Sequence, residues 1–368
     1  MKVNYQRQKF LYYIAFIKYL ATIKIIKWHI YKWKKRPIDY GARMCEFLFA
    51  SSGFLVGYNH YQKNMLCDYE TSFKYSYKSL RTFYPLLFLN TLYGFFFKKG
   101  KKNDLSEFIA LLSNLTLINI FIRKTKYVAI FNAISWFLSD LLLCYFLVPL
   151  LLKGIKNIKI SLILFLIISL IRISIEEILL KRAFNMFDIN IHRGPIIRLL
   201  EFYMGMLVTP IFLYIKNILD KYKHSAIIKI LFTFIQIKST TFIYYIMKKC
   251  NRILSHCYFV LIFCIFIFII GFDYGFLSIL LSHKIPKIIM SCQMEIYLTQ
   301  LTVNNIIKKV TSKINFGKIH SEEKIFLMKL LIIFFVGYLY KKLYKEKFAS
   351  FLDRIFCQKI KPKPQLLV

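Results

Sequence analysis

Apolar runs of membrane-crossing length recur from one end of the chain to the other, divided by short polar connectors. A bilayer core needs about 20 predominantly apolar residues per helix. By that measure the pattern predicts helical spans over about 12–33, 42–61, 80–97, 106–122, 130–152, 158–175, 195–215, 225–247, 254–273, 286–307 and 323–343. Runs such as LLLCYFLVPLLL and YFVLIFCIFIFII leave little doubt about insertion. Segment 106–122 is short and spotted with Ser113, Asn114, Thr116 and Asn119, which suits a re-entrant element. The connectors KWKKRP, KKGKKND, KRAFNMFDINIHRGP and KIHSEEK are charged, and no repeat of fixed period is visible. The expected fold is all-α: a polytopic integral membrane bundle of about ten transmembrane helices, one membrane domain over 1–368 with no separate soluble domain.

Composition sharpens this. Of 368 residues, 57% are hydrophobic and 18% aromatic, with a mean hydropathy of +0.50. Soluble domains sit nearer about 45–50% apolar. The net charge of +36 raises the question of nucleic acid. The basic residues flank apolar runs and form no separate basic face, so membrane lipids with anionic headgroups are the expected partners, and nucleic acid is not. Lys and Arg stand in connectors on both expected sides, so the positive-inside rule gives no orientation. The eight cysteines include no CxxC pair. Cys250, Cys257 and Cys264 fall on one helical stripe and read as small hydrophobes rather than metal ligands. Lys18, Lys24 and Lys27 interrupt the first apolar stretch, so it reads as a first span rather than a cleaved signal peptide.

Candidate chemistry gathers near the N-terminus. His29 lies in the first span, eleven residues after Lys18. Eleven helical steps of about 100° come to three turns plus about 20°, so the two share a face, about 16 Å apart along the axis. The next span carries Glu46 and the small run Ala50-Ser51-Ser52-Gly53. Each residue also has a plainer reading. Lys18 suits a snorkelling anchor, His29 an interfacial residue among Trp28, Tyr31 and Trp33, Arg81 a positive flank, and Ser52 with Gly53 a close helix contact. Glu46 is costly in lipid and is expected to pair with a Lys or His inside the bundle; Glu201 and Glu295 follow the same logic. His60, His192, His224, His256, His283 and His320 lie in or near connectors and are expected to be solvated.

Five features together resemble the acyltransferase-3 family, integral membrane O-acyltransferases that modify surface glycans. The first is Lys18, ten intervening residues, then His29. The second is EFLFASSGFLVG, which carries Ser52-Gly53-Phe54-Leu55. The third is Lys78-Ser-Leu-Arg81-Thr-Phe-Tyr84-Pro85. The fourth is Trp136-Phe-Leu-Ser139. The fifth pairs Arg198-Leu-Leu-Glu201-Phe-Tyr-Met-Gly205 with Glu295-Ile-Tyr297-Leu298-Thr-Gln300. The resemblance implies O-acetylation: transfer of an acyl group, acetyl as is common in the family, from acyl-CoA to a hydroxyl of a cell-envelope polysaccharide or lipid-linked glycan precursor. It implies acetyl-CoA as co-substrate rather than a bound cofactor, no metal, and a multi-pass protein of the bacterial plasma membrane. In that scheme His29 is the general base, since imidazole titrates near neutrality. Lys18, Lys78 and Arg81 meet the phosphates of the donor. Glu46, Ser52, Gly53 and Trp136 support the site, Trp136 serving equally well as a packing residue.

The chain departs from the family at three places. Arg81 stands four residues before Pro85 where the family's basic residue often stands three before. Leu141 and Leu142 occupy places often acidic, with Asp140 alongside. Gln300 stands where a histidine often follows the Tyr-Leu pair, and an amide does not titrate near neutrality. Two other functions fit the composition: a polytopic glycolipid flippase or transporter, and a family member without catalysis.

Overall fold

A computed structural model describes residues 11–31, 40–62, 69–97, 105–121, 131–132, 134–155, 157–182, 194–249, 255–313 and 322–348. Among these the chain is helical, with no strand. The helices are α1 (Tyr12–Tyr31), α2 (Tyr40–Gln62), α3 (Tyr69–Phe97), α4 (Leu105–Leu115), α5 (Ser135–Phe146), α6 (Val148–Leu152), α7 (Ile158–Arg182) and α8 (Pro195–Leu207). They continue as α9 (Thr209–Leu219), α10 (Ala226–Lys249), α11 (Ser255–Ile270), α12 (Phe276–Leu281), α13 (Lys284–Ser291), α14 (Gln293–Lys313) and α15 (Glu322–Tyr340), the last running into a π-helical turn, Lys341–Phe348.

Among the described residues three stretches are long and apolar enough to cross a membrane: Ile158–Ile178, Pro195–Tyr222 and Ala226–Met247. A fourth is available if Ser135–Phe146 and Val148–Ile155, bent by 52° at their junction, count as one broken span. Pro149 at the start of α6 lacks the N–H that would continue α5, which explains the bend. The outer helices wear their apolar residues outward. Leu162, Ile163, Leu166 and Leu170 of α7, and Ile227, Ile230 and Phe234 of α10, are exposed, as befits faces solvated by lipid rather than water. α1 does not join this set because Lys18, Lys24 and Lys27 interrupt it.

Several boundaries differ from the apolar pattern. α3 begins at Tyr69, eleven residues before the predicted start at 80, so the Lys78–Pro85 motif lies inside a continuous helix rather than at its mouth. Polar residues such as Thr71 and Ser76 carry no apolar signal, yet they continue the helix. The predicted span 286–307 is two helices, broken at Cys292 (φ −93°, ψ 5°). Segment 106–122 is a short helix, then Leu117 in the left-handed region (φ 60°), then the 3-10 turn Asn119–Phe121. Its polar residues face α5: Ser135 Oγ donates to Asn114 Oδ1 (2.6 Å), and Ser139 Oγ donates to Asn119 Oδ1 (2.7 Å).

The centre is built on α2 and α8, whose backbones touch. A Cβ at Gly53 would collide with the carbonyl of Phe202, and one at Gly205 with the carbonyl of Ala50. Small residues let two helices approach this closely where lipid supplies no hydrophobic drive between them.

Candidate active site

α1 is held at its start from the far end of the sequence. Asp273 Oδ2 accepts the backbone N–H of Tyr12 (2.7 Å), and Oδ1 accepts that of Tyr13 (3.2 Å). A carboxylate there satisfies two orphan amides and complements the helix dipole. Tyr13 Oη donates to the carbonyl of Gln236 (3.2 Å), tying the same end to α10.

One turn on, Lys18 Nζ donates to Ser52 Oγ (3.2 Å), and Ser52 Oγ donates to the carbonyl of Leu48 (2.7 Å). The Ser52 proton is therefore engaged by backbone while its lone pair receives the ammonium. Gly53 abuts α8, so its observed role is helix contact. His29 stands in the last turn of the same unbroken helix, half-buried, its ring 4.7 Å from that of Trp28. A Cβ at Gly41 would press into the Trp28 ring, which fixes the start of α2 beside it.

Cross-helix bonds set the levels of the remaining residues. Gln293 Nε2 donates to Thr22 Oγ1 (2.9 Å), Asn90 Nδ2 donates to the carbonyl of Leu298 (2.8 Å), and Tyr340 Oη donates to the carbonyl of Thr82 (2.9 Å). Counted at about 1.5 Å per residue from these bonds, Lys18 and Arg81 fall at one level. His29 falls about 16 Å further on, level with Gln300. Arg81 is half-buried, with Tyr344 of the π-helical turn nearby. Lys78 lies one turn before Arg81 on α3, and its side chain is outside the described residues. The structure thus brings Lys18 and Ser52 into contact and aligns Arg81 with them, while His29 occupies a separate level.

Glu46 and Trp136 belong elsewhere, to a buried ionic network. Glu46 Oε1 accepts from Arg43 (3.1 Å), so its partner is an arginine, not the expected Lys or His. Arg172 of α7 pairs with Glu176 and with Glu201 of α8 (2.9 Å), and Arg198 pairs with Glu201. The Arg198 guanidinium lies 5.7 Å from the Phe49 ring centre and 6.0 Å from that of Trp136. Asp140 joins them, fully buried, with neither carboxylate oxygen hydrogen-bonded among the described residues. The sequence reading missed Arg43, Arg172 and Glu176. The signal that finds them is opposite charge at spacing three or four inside an apolar helix: Arg43/Glu46, Arg172/Glu176, Arg198/Glu201.

Two further expectations are revised or bounded. His60 is buried in α2 rather than solvated. His224 and His283 are exposed, while the side chains of His192, His256 and His320 lie outside the described residues. Cys264 is a buried free thiol; the side chains of Cys250 and Cys257 are not among those described. Among the described residues no three His, Cys, Asp or Glu side chains are grouped to hold a metal ion.

No protein-family model matches the chain, and neither a curated protein nor a solved structure matches it.

Proposed function

We propose that the chain is a multi-pass membrane O-acyltransferase of the acyltransferase-3 kind, one domain of about ten transmembrane helices in a bacterial plasma membrane. It moves an acetyl group from acetyl-CoA to a hydroxyl of an envelope polysaccharide or lipid-linked glycan. The observation that carries this reading is the placement of cations and base along α1. Lys18, bonded to Ser52, and Arg81 form a cationic level suited to the donor's phosphates. His29 stands about 16 Å beyond, along the same helix. An extended pantetheine arm bridges such a gap and brings its thioester to the imidazole.

The reaction then balances simply. The neutral His29 ring takes the proton of the sugar hydroxyl as its oxygen attacks the thioester carbonyl. The tetrahedral intermediate collapses, the C–S bond breaks, and the leaving sulfur receives that proton from His29. The products are an O-acetyl ester and free CoA thiol. Lys18, Lys78 and Arg81 hold the donor; Glu46, Gly53 and Trp136 hold the scaffold on which α1 and α2 are set.

The test is a mass and ester analysis of envelope glycans from cells with the native chain, without it, and with His29→Ala. An alkali-labile acetyl mass found only with the native chain supports the transferase; identical glycans in all three refute it. A second reading, a glycolipid flippase, is favoured by the buried network of Arg43, Glu46, Arg172, Glu176, Arg198 and Glu201, because intramembrane charges often mark transport paths. It predicts glycolipid export that needs no acetyl-CoA.

A further inference from the structure

α14 carries polar side chains that the bundle buries and leaves unanswered. Gln300 is 1% exposed, and neither its Nε2 nor its Oε1 has a hydrogen-bond partner among the described residues. Asn304, one turn on and 3% exposed, has no partner for Oδ1. Lys329 of α15, 6% exposed as a residue, makes no ion pair or hydrogen bond among the described residues and has the like charge of Lys308 near it; its Nζ, unlike the amide atoms of Gln300 and Asn304, keeps some access to the surface. A buried amide without a partner is strongly disfavoured, most of all in a membrane.

These groups occupy two adjacent turns and share one interior. Gln293, Tyr297, Gln300 and Asn304 follow the spacing of a single helix stripe. Gln293 bonds α1 through Thr22, and the Tyr297 ring lies 4.9 Å from Phe137 of α5, so the stripe faces inward. Gln300 is seven residues beyond Gln293, as His29 is beyond Thr22, which sets amide and imidazole level. α15 runs antiparallel to α14: Gly337 packs on Ile296, and Lys341 donates to Ser291. Lys329, eight residues before Gly337, therefore lies level with Asn304. Ile333 between them is buried with Ile26, Ile296, Val303 and Ile307, so that face of α15 looks at α14 and α1.

We propose that Gln300, Asn304 and Lys329 form the acceptor site, and that the acceptor is an anionic carbohydrate. Primary amides both donate to and accept from hydroxyls, which suits a sugar ring. The ammonium of Lys329, with Lys308 near it and no carboxylate paired to it among the described residues, favours an anion, a sugar phosphate or a sugar carboxylate. That anion belongs to the acceptor, because the donor's phosphates are assigned to the Lys18 and Arg81 level about 16 Å away. The role of the site rests on the acyltransferase reading, whereas its binding chemistry does not.

The test is calorimetric titration of the full chain in lipid nanodiscs with glucose 1-phosphate, glucuronate, glucose and inorganic phosphate. One of the two sugar anions is expected to bind about tenfold or more tightly than glucose, and Lys329→Met to remove that advantage. The better of the two identifies the anion. Gln300→Leu with Asn304→Leu is expected to weaken the sugar anion about tenfold while leaving inorganic phosphate unchanged. The ligand-free thermal midpoint is expected to hold or rise in these variants, because each removes an unanswered polar group. Equal binding of glucose and both sugar anions, or variants that bind as the native chain does, overturns the site. Acetyl-ester formation on glycans by the same variants separates the two claims. Sugar-anion binding by a native chain that transfers no acetyl refutes the transferase and keeps the site. Transfer unaltered by the variants refutes the site and keeps the transferase.

Discussion

The polar interior is paired on one side and unanswered on the other. Among the described side chains of α2, α7 and α8, each guanidinium meets a carboxylate: Arg43 with Glu46, Arg172 with Glu176 and Glu201, and Arg198 with Glu201. In α14, both polar atoms of Gln300 and Oδ1 of Asn304 have no hydrogen-bond partner among the described residues, and Lys329 of α15 has no carboxylate paired to it there. Both sets are buried equally well, so exposure does not separate them. What separates them is charge pairing. The arginines and glutamates meet one another even though Glu46 Oε2, Arg172 Nε and both Asp140 oxygens lack a hydrogen bond among the described residues, whereas the α14 amides have neither hydrogen bond nor ion pair at the atoms named. The ionic network ties α7 to α8, and the backbones of α2 and α8 meet closely at Gly53 and Gly205. Unsatisfied amides at the level of His29 suit a region that exchanges partners. The proposed acceptor site therefore lies where buried amides have neither hydrogen-bond partner nor ion pair.

The comparison breaks most visibly at Glu201, the carboxylate shared by two arginines. Glu201→Ala leaves two buried guanidiniums short of charge, with an expected loss of about 3–5 kcal/mol, read as a collapsed yield of folded protein or a lowered unfolding midpoint in detergent. Next comes Gly205→Ala, which pushes α8 off Ala50. The expected loss is about 1–3 kcal/mol by the same thermal measurement. The opposite sign is expected on the unanswered side: Gln300→Leu holds or gains up to about 1 kcal/mol while weakening the acceptor.

Smaller effects sharpen the picture near α1. Lys18→Met is expected to raise KM for acetyl-CoA about tenfold with kcat largely kept, since it removes donor binding rather than the base. Asp273→Ala removes the carboxylate at the start of α1 and is expected to cost about 1 kcal/mol, with little change in KM.

Much of this was legible in residue order, and the limits have a physical cause. Helix identity along α1, α2 and α10 follows from local apolar content, and the Lys18–His29 spacing survives because α1 is unbroken. α3 outran its apolar signal because polar residues also continue a helix. The arginine partner of Glu46 stood only three residues away and was readable from spacing. The partners of Tyr12 and Thr22 were not, because Asp273 and Gln293 lie 261 and 271 residues distant, and no local rule links such pairs. Whether Gln300 would find a partner was likewise invisible, since an unsatisfied group is defined by every helix around it.

One measurement reaches the central claim most directly. Native and His29→Ala chains, matched for folded protein in proteoliposomes, are given isotopically labelled acetyl-CoA and envelope glycan. Alkali-labile label is expected on the glycan with the native chain and none above background with His29→Ala. Equal labelling by both, or none by either, contradicts it.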